Sequence, residues 1–250
     1  MAVLNEEAIK NVVVAGNIIY KIFCTITKLN LEGMKTIELN NIIDKLIREN
    51  NGVPAFLNYR GFPKSVCISL NEEVVHGIPD ERVIKEGDLV KIDVGVKYNG
   101  YIADAARTFA VGKITEEAAR LIRVTKEALK RGIEKAQNGN KISNISRAIQ
   151  RFVEENGFSV VRELTGHGVG RELHEEPMVP NFLWDGPDAE IKTGMALAIE
   201  PMVNMGNYEV VTSANSWTIL TRDRSLSCHF EDTIIVLEKG NLNVTRVVES

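Results

Sequence analysis

The chain is poor in cysteine and carries no large excess of charge of either sign. Its three cysteines, Cys24, Cys67 and Cys228, are sparse, odd in number and without paired spacing. That argues against a disulfide framework and suits a reducing compartment. Thirty basic residues against 34 acidic ones leave a formal charge of −4, which gives no overall pull toward nucleic acid or an anionic membrane. No apolar stretch reaches the roughly 20 residues needed to span a bilayer. The opening Met1-Ala2-Val3-Leu4-Asn5-Glu6-Glu7 lacks the basic start and apolar run of a secretory signal. Low-complexity tracts and Pro/Gly/Ser linkers are also missing. These absences point to a cytoplasmic protein with no membrane partner and no nucleic-acid specificity.

What is present suits a packed globular chain. At 250 residues, 44% hydrophobic and 26% charged, it is long enough for a substantial core. Apolar periodicity predicts a helix from about Asn5 to Leu29. A second runs from Thr36, as N-cap, to about Asn50, before an Asn51-Gly52 stop. Strands are expected at Ser65–Leu70, Leu89–Val96 and Tyr101–Val111, then helices from near Thr115 to Gln137 and from near Ser143 to Asn156. A shift of 106 aligns Lys35 with Lys141, Ile43 with Ile149, Glu49 with Glu155 and Asn50 with Asn156. Two similarly capped amphipathic helices could look alike by chance. If the repeat is real, halves at about 5–112 and 113–240 pack about a pseudo-twofold axis, and a site between them draws residues from both. The expected architecture is a single α+β domain over residues 1–250.

Chemistry gathers on strand residues. Asn99-Gly100 is a strong hairpin signal. With those two residues as the turn, Gly95 faces Asp104 and Asp93 faces Ala106. Asp93 and Asp104 then share one face as diagonal neighbours, beside small residues, while Ile92, Val94 and Val96 take the other. Such a pair makes poor core and a good cation site, although solvent-facing acids would fit the hairpin equally well. In Gly166-His167-Gly168 the histidine has little packing of its own, and the glycines permit close approach. Glu200 ends the apolar strand Ala196–Ile199, and Glu231 enters another. A carboxylate there is costly to bury unless paired or bound to metal. Taken together, four carboxylates and one imidazole suit two divalent ions of the Mn, Fe, Co or Zn kind. Without cations, like charges about 4 Å apart repel by roughly 4 kcal/mol per pair at an effective dielectric of 20.

The ordered stretches Tyr59-Arg60-Gly61-Phe62-Pro63-Lys64-Ser65-Val66-Cys67, Val75-His76-Gly77-Ile78-Pro79, Ile92-Asp93-Val94, Asp104-Ala105-Ala106-Arg107-Thr108, Gly166-His167-Gly168-Val169-Gly170, His174-Glu175-Glu176-Pro177, Ile199-Glu200-Pro201-Met202 and Ser225-Leu226-Ser227 carry a family resemblance. Over nearly the whole chain it resembles the bacterial type I methionine aminopeptidases. The resemblance implies the pita-bread fold of creatinase and aminopeptidase, two pseudo-twofold halves with a curved antiparallel sheet covered by helices. It implies removal of N-terminal methionine, ahead of a small second residue, by attack of a metal-bridging hydroxide. Asp93 would hold one ion, His167 and Glu200 the other, and Asp104 and Glu231 both. Glu200 would also shuttle a proton, with His76 and His174 beside the substrate. Tyr59, Phe62, Cys67 and Trp217 would line the methionine pocket. A monovalent cation would sit near Asn71 and Ser227. Phe56, Leu173 and Asp232 depart from what relatives commonly carry at those positions. The implied setting is a monomer acting on nascent polypeptide N-termini, with transient ribosome contact. An X-Pro dipeptidase or aminopeptidase on the same fold would use the same five ligands, and a metal-free relative that only binds peptides would have lost some of them.

Overall fold

A computed structural model of the chain describes residues 3–246, so Met1 and Ala2 of the amino-terminal stretch lie outside the described residues. Among the described residues four α-helices form: α1 (Glu6–Ile26), α2 (Thr36–Glu49), α3 (Glu116–Lys135) and α4 (Ile142–Glu155). Asn5 caps α1, its Oδ1 accepting the Ala8 N–H at 2.9 Å, and Thr115 caps α3 in the same way. Val12, Ile19, Ile22, Phe23 and Ile26 of α1 are buried, and the helix lies across the Leu89–Tyr98 and Tyr101–Ala110 strands. The bilayer criterion needs correction here. The 21-residue α1, with a window of mean hydropathy 1.4, is long and apolar enough to cross a membrane. A search for apolar stretches hides this, because isolated charges such as Lys10 break a stretch while a window average can absorb one or two of them and stay high.

Thr36 is not the cap of α2. Lys35 holds that place, its N–H bonded to Glu38 Oε2 at 2.9 Å. The Thr36 hydroxyl turns instead to Asp80, accepting its N–H and donating to its carbonyl. The residues matched at a shift of 106 have matching local structure. Lys141 caps α4 with its N–H on Asn144 Oδ1. Asn50 and Asn156 follow the two helices, each donating Nδ2 to the carbonyl four residues back, at 2.9 and 2.8 Å. Lys35 and Lys141 each form an isolated antiparallel bridge, to Val83 and Glu190.

All strand pairings among the described residues are antiparallel. In one sheet the Leu89–Tyr98 strand pairs with Val53–Pro54, Cys67–Leu70 and Tyr101–Ala110. Another runs in the order Asn241–Asn243, Asp232–Val236, Ala196–Ile199, Gly166–Gly168, Glu175–Val179. Two three-stranded sheets complete the set among the described residues. One apolar core lies beneath α1 and α2, a second beneath α3 and α4. The two large sheets are stitched at their junction. Glu231 N–H donates to Ala106 O at 3.0 Å, and Ala106 N–H returns to Glu231 O at 3.3 Å. Next to them the Thr233 hydroxyl accepts the Asp104 N–H and donates to the Asp104 carbonyl. Acids far apart in sequence therefore arrive side by side through backbone and hydroxyl hydrogen bonds.

Candidate metal centre

The hairpin has the register its turn dictates. Asn99 and Gly100 are both left-handed, with φ of 46° and 82°, as a type I′ turn requires. Gly95 faces Asp104 and Asp93 faces Ala106. The small residue at 95 has a definite use. A Cβ there would meet Phe56 Cε1 at 2.5 Å, so only glycine lets that ring close the wall of the site.

His167 is buried on the Gly166–Gly168 strand, opposite Ala198. The flanking glycines make the strand contacts possible, since a Cβ would come within 2.4 Å of Ala198 O at Gly166 and 2.5 Å of Glu176 O at Gly168. His167 Nδ1 lies 2.9 Å from Gly168 O. A carbonyl can only accept, so Nδ1 carries the proton and Nε2 keeps a free lone pair. Burial, with His174 adjoining, pulls the imidazole down to about 3, so the neutral form, the one able to ligate a metal, persists at neutral pH. Its Nε2 is 3.5 Å from Glu200 Oε1.

The five predicted residues line one cavity of about 150 Å³. Asp104, His167 and Glu231 can each present a ligand atom within 4.8 Å of the others, and Asp93 and Glu200 close the ring around them. Burial pushes Asp104 up to about 7. Burial and the neighbouring carboxylates hold Asp93, Glu200 and Glu231 well above the usual carboxylate range. Asp93 Oδ1, Asp104 Oδ1 and Glu231 Oε1 are buried without a hydrogen-bond partner. Buried acceptors left unpaired and crowded by their own charge are the donor set that divalent cations satisfy. The residues present therefore fit such ions.

The remaining predicted residues open onto the same cavity: His76, His174, Tyr59, Phe62, Cys67 and Trp217. Phe62 and Trp217 meet edge to face at 5.2 Å. Cys67 pairs with Asp93 in the strand register, and burial beside the carboxylates raises its thiol far above normal, so it lines the pocket as a protonated thiol. His174 Nδ1 lies 2.8 Å from the Tyr59 hydroxyl. Phe56 and Leu173, the departures noted above, also line the cavity. Asp232 does not. It faces away from the ligands, held by Arg107 Nη2 at 2.5 Å, Thr245 Oγ1 at 2.8 Å and Asn243 Nδ2 at 2.9 Å.

Two residues escape the sequence reading. His229 is 1% exposed, both its ring nitrogens lack a hydrogen-bond partner, and Nε2 lies 3.5 Å from Glu200 Oε2. Glu200 thus sits between two imidazoles. The signal was a histidine two residues before Glu231, on the side of the chain that alternation shares with it. The other is Lys91. The carbonyls of Asn71 and Ser227, expected beside a monovalent cation, accept instead from Lys91 Nζ at 2.6 and 3.1 Å. An ammonium already on those oxygens repels a second cation. Burial draws it down to about 8, against the pull of Cys228, Glu73, Glu72 and Asp88.

The chain matches the model of metallopeptidase family M24 over residues 10–238. It is 46% identical to a methionine aminopeptidase of Clostridium acetobutylicum, over 94% of this chain and 95% of that one. Its fold superposes on the crystal structure of methionine aminopeptidase from Thermotoga maritima with a TM-score of 0.95 and 38% identity, covering 98% of this chain and 99% of that one. Prolidase from Pyrococcus furiosus is more distant, at TM-score 0.81 and 25% identity, and the chain covers 66% of its length. Metal-dependent peptide hydrolysis on the pita-bread fold follows from the family, and near-complete coverage separates the aminopeptidases from the prolidase. The chain belongs to metallopeptidase family M24, within its methionine aminopeptidase branch.

Proposed function

We propose that this chain releases methionine from the N-termini of nascent proteins and peptides whose second residue is small. The observation carrying this reading is one cavity that joins the five-ligand cluster to a slot of Tyr59, Phe62, Cys67 and Trp217. An unbranched thioether suits such a slot through sulfur–ring contacts. Asp93, Asp104, His167, Glu200 and Glu231 would hold two divalent ions, of the Mn, Fe, Co or Zn kind. Bound there, the ions supply a water nucleophile at neutral pH and polarise the scissile carbonyl. Glu200, poised between His167 and His229, holds and passes the proton. His174 is drawn down to about 4 by burial, with Arg60 and His76 adding to it, so it is neutral at pH 7. With the Tyr59 hydroxyl donating to Nδ1, Nε2–H is left to donate to the scissile amide. His76, half-buried across the cavity, bounds the substrate's other side.

The matching caps at a shift of 106 support a duplicated single domain, with halves at about 5–112 and 113–240 joined through the site. Cytoplasmic location, a monomeric state and transient ribosome contact complete the proposed setting.

The test is release of the first residue from Met-Ala, Met-Leu and Ala-Pro peptides across several divalent metals. Met-Ala should be cleaved fastest, and faster cleavage of Ala-Pro would overturn the assignment. His174→Ala should lower kcat by about 10²-fold or more, the scale of losing one donor aimed at developing charge. It should leave Tm nearly unchanged, because the ring is packed only on its cavity side, against His167 and Tyr59, and the residue is otherwise open to solvent at the cavity mouth. Steady-state kinetics beside a thermal melt checks both halves of that expectation.

A further inference from the structure

Lys91 stands out among the largest fully buried side chains, since the others are apolar. It lies on the Leu89–Tyr98 strand, opposite Ser69 and Thr108. Its ammonium donates to two main-chain carbonyls from distant parts of the chain, Asn71 O at 2.6 Å and Ser227 O at 3.1 Å. The backbone around those oxygens is fixed independently. Asn71 is left-handed, with φ of 49°, and its side chain bonds Asp88 and the Leu89 N–H. Asn71 O also accepts the Ser227 N–H at 3.0 Å. The Ser227 hydroxyl is tied to Val203 O and Asn204 Oδ1. Carbonyl oxygens that converge this way form a nest of acceptors for one compact positive charge, as they do around hard cations. The position matters to the metal centre, since Asp93 follows Lys91 by two residues on the same strand face and Glu231 follows Ser227 by four. The ammonium ties together the two segments that deliver those carboxylates.

We propose that the Lys91 ammonium is a built-in replacement for the monovalent cation expected at the Asn71 and Ser227 carbonyls, so this protein has no K⁺ or Na⁺ requirement. The inference concerns the architecture of the site and holds whatever peptide the enzyme prefers.

The deciding experiment uses the full chain with divalent metals stripped and reads thermal unfolding rather than turnover. Tm is measured at constant ionic strength while KCl or NaCl replaces tetramethylammonium chloride, whose cation is too large for the nest. Wild type should show no difference among the three salts. A saturable rise of Tm with K⁺ or Na⁺ would overturn the proposal. Lys91→Ala should lower Tm in tetramethylammonium by roughly 5 °C, and K⁺ or Na⁺ should restore much of that loss along a saturable curve. A loss that neither cation reverses, or no loss at all, would show the ammonium to be no cation surrogate. If the variant does not fold, the wild-type salt comparison decides alone.

Discussion

Replacing Asp104 by asparagine is expected to lower kcat/KM by more than ~10²-fold, since even outer-shell partners of a metal cost that much, while making the metal-free protein melt at a higher temperature. The two effects have one cause. Asp104 is 4% exposed, its Oδ1 has no partner, and Asp93, Glu200 and Glu231 line the same cavity. In the loaded enzyme its charge binds cations. In the stripped enzyme the same charge repels three others, by up to about 4 kcal/mol per pair at close range. Partial protonation relieves much of this, so a gain of ~1–2 kcal/mol is the reasonable scale, or roughly 2–8 °C for a chain of this size. Asparagine keeps the shape and removes the charge. Its backbone N–H stays on Thr233 Oγ1, so the junction between the sheets survives. Steady-state kinetics and metal analysis of wild type and variant, with calorimetry of each after EDTA treatment, read activity, metal content and metal-free stability. A variant that keeps its metal and activity, or a stripped variant that melts lower than wild type, would contradict the account.

Stripping the metals should also reverse the direction in which pH acts on stability. In the metal-free fold Asp104 titrates at about 7, and Asp93, Glu200 and Glu231 are all displaced upward. A carboxyl whose folded pKa is raised holds a proton that the unfolded chain gives up. Its contribution is complete below the unfolded pKa near 4 and is lost as pH rises through the folded one. For Asp104 alone the difference is on the order of 4 kcal/mol at full span, shared among coupled neighbours. His167, His174 and His229 act oppositely, since burial lowers them to about 3 or 4. The unfolded chain protonates these histidines below about 6.5, so stability falls with acidification there. The window follows from those signs. Between about pH 8.5 and 6.5 the stripped protein should gain stability on acidification, and below that the histidines flatten the curve. The loaded protein should lose stability across the same window, because protons compete with the ions for their ligands. Denaturant titrations at several pH values, with and without chelator, separate the two. Parallel curves would mean that the acids are not the groups binding metal.

The sequence was informative where structure is local and silent where it is not. The hairpin could be read to the residue because Asn99-Gly100 sets the register and a strand repeats every two residues. The caps of α1 and α3, and the stops after α2 and α4, follow from side chains acting within three or four residues. Thr36 misled because its hydroxyl is claimed by Asp80, 44 positions away. Lys91 and His229 are harder still. Each is a polar residue on a strand whose partners lie across the molecule, 136 positions off for Lys91 and Ser227, and no periodicity encodes such a meeting. The convergence of all five ligands was likewise not legible from any single segment. It depends on the Ala106–Glu231 and Asp104–Thr233 contacts between the two sheets, which nothing in either strand announces.

Anomalous diffraction from crystals grown with Mn²⁺ or Co²⁺ tests the central claim most directly. Two peaks about 3.5–4 Å apart should appear in the cavity, each within bonding distance of carboxylates from both sheets, with the His167 Nε2 on one of them. Peaks absent from that cavity, or a metal bound elsewhere while these five side chains ligate nothing, would contradict it.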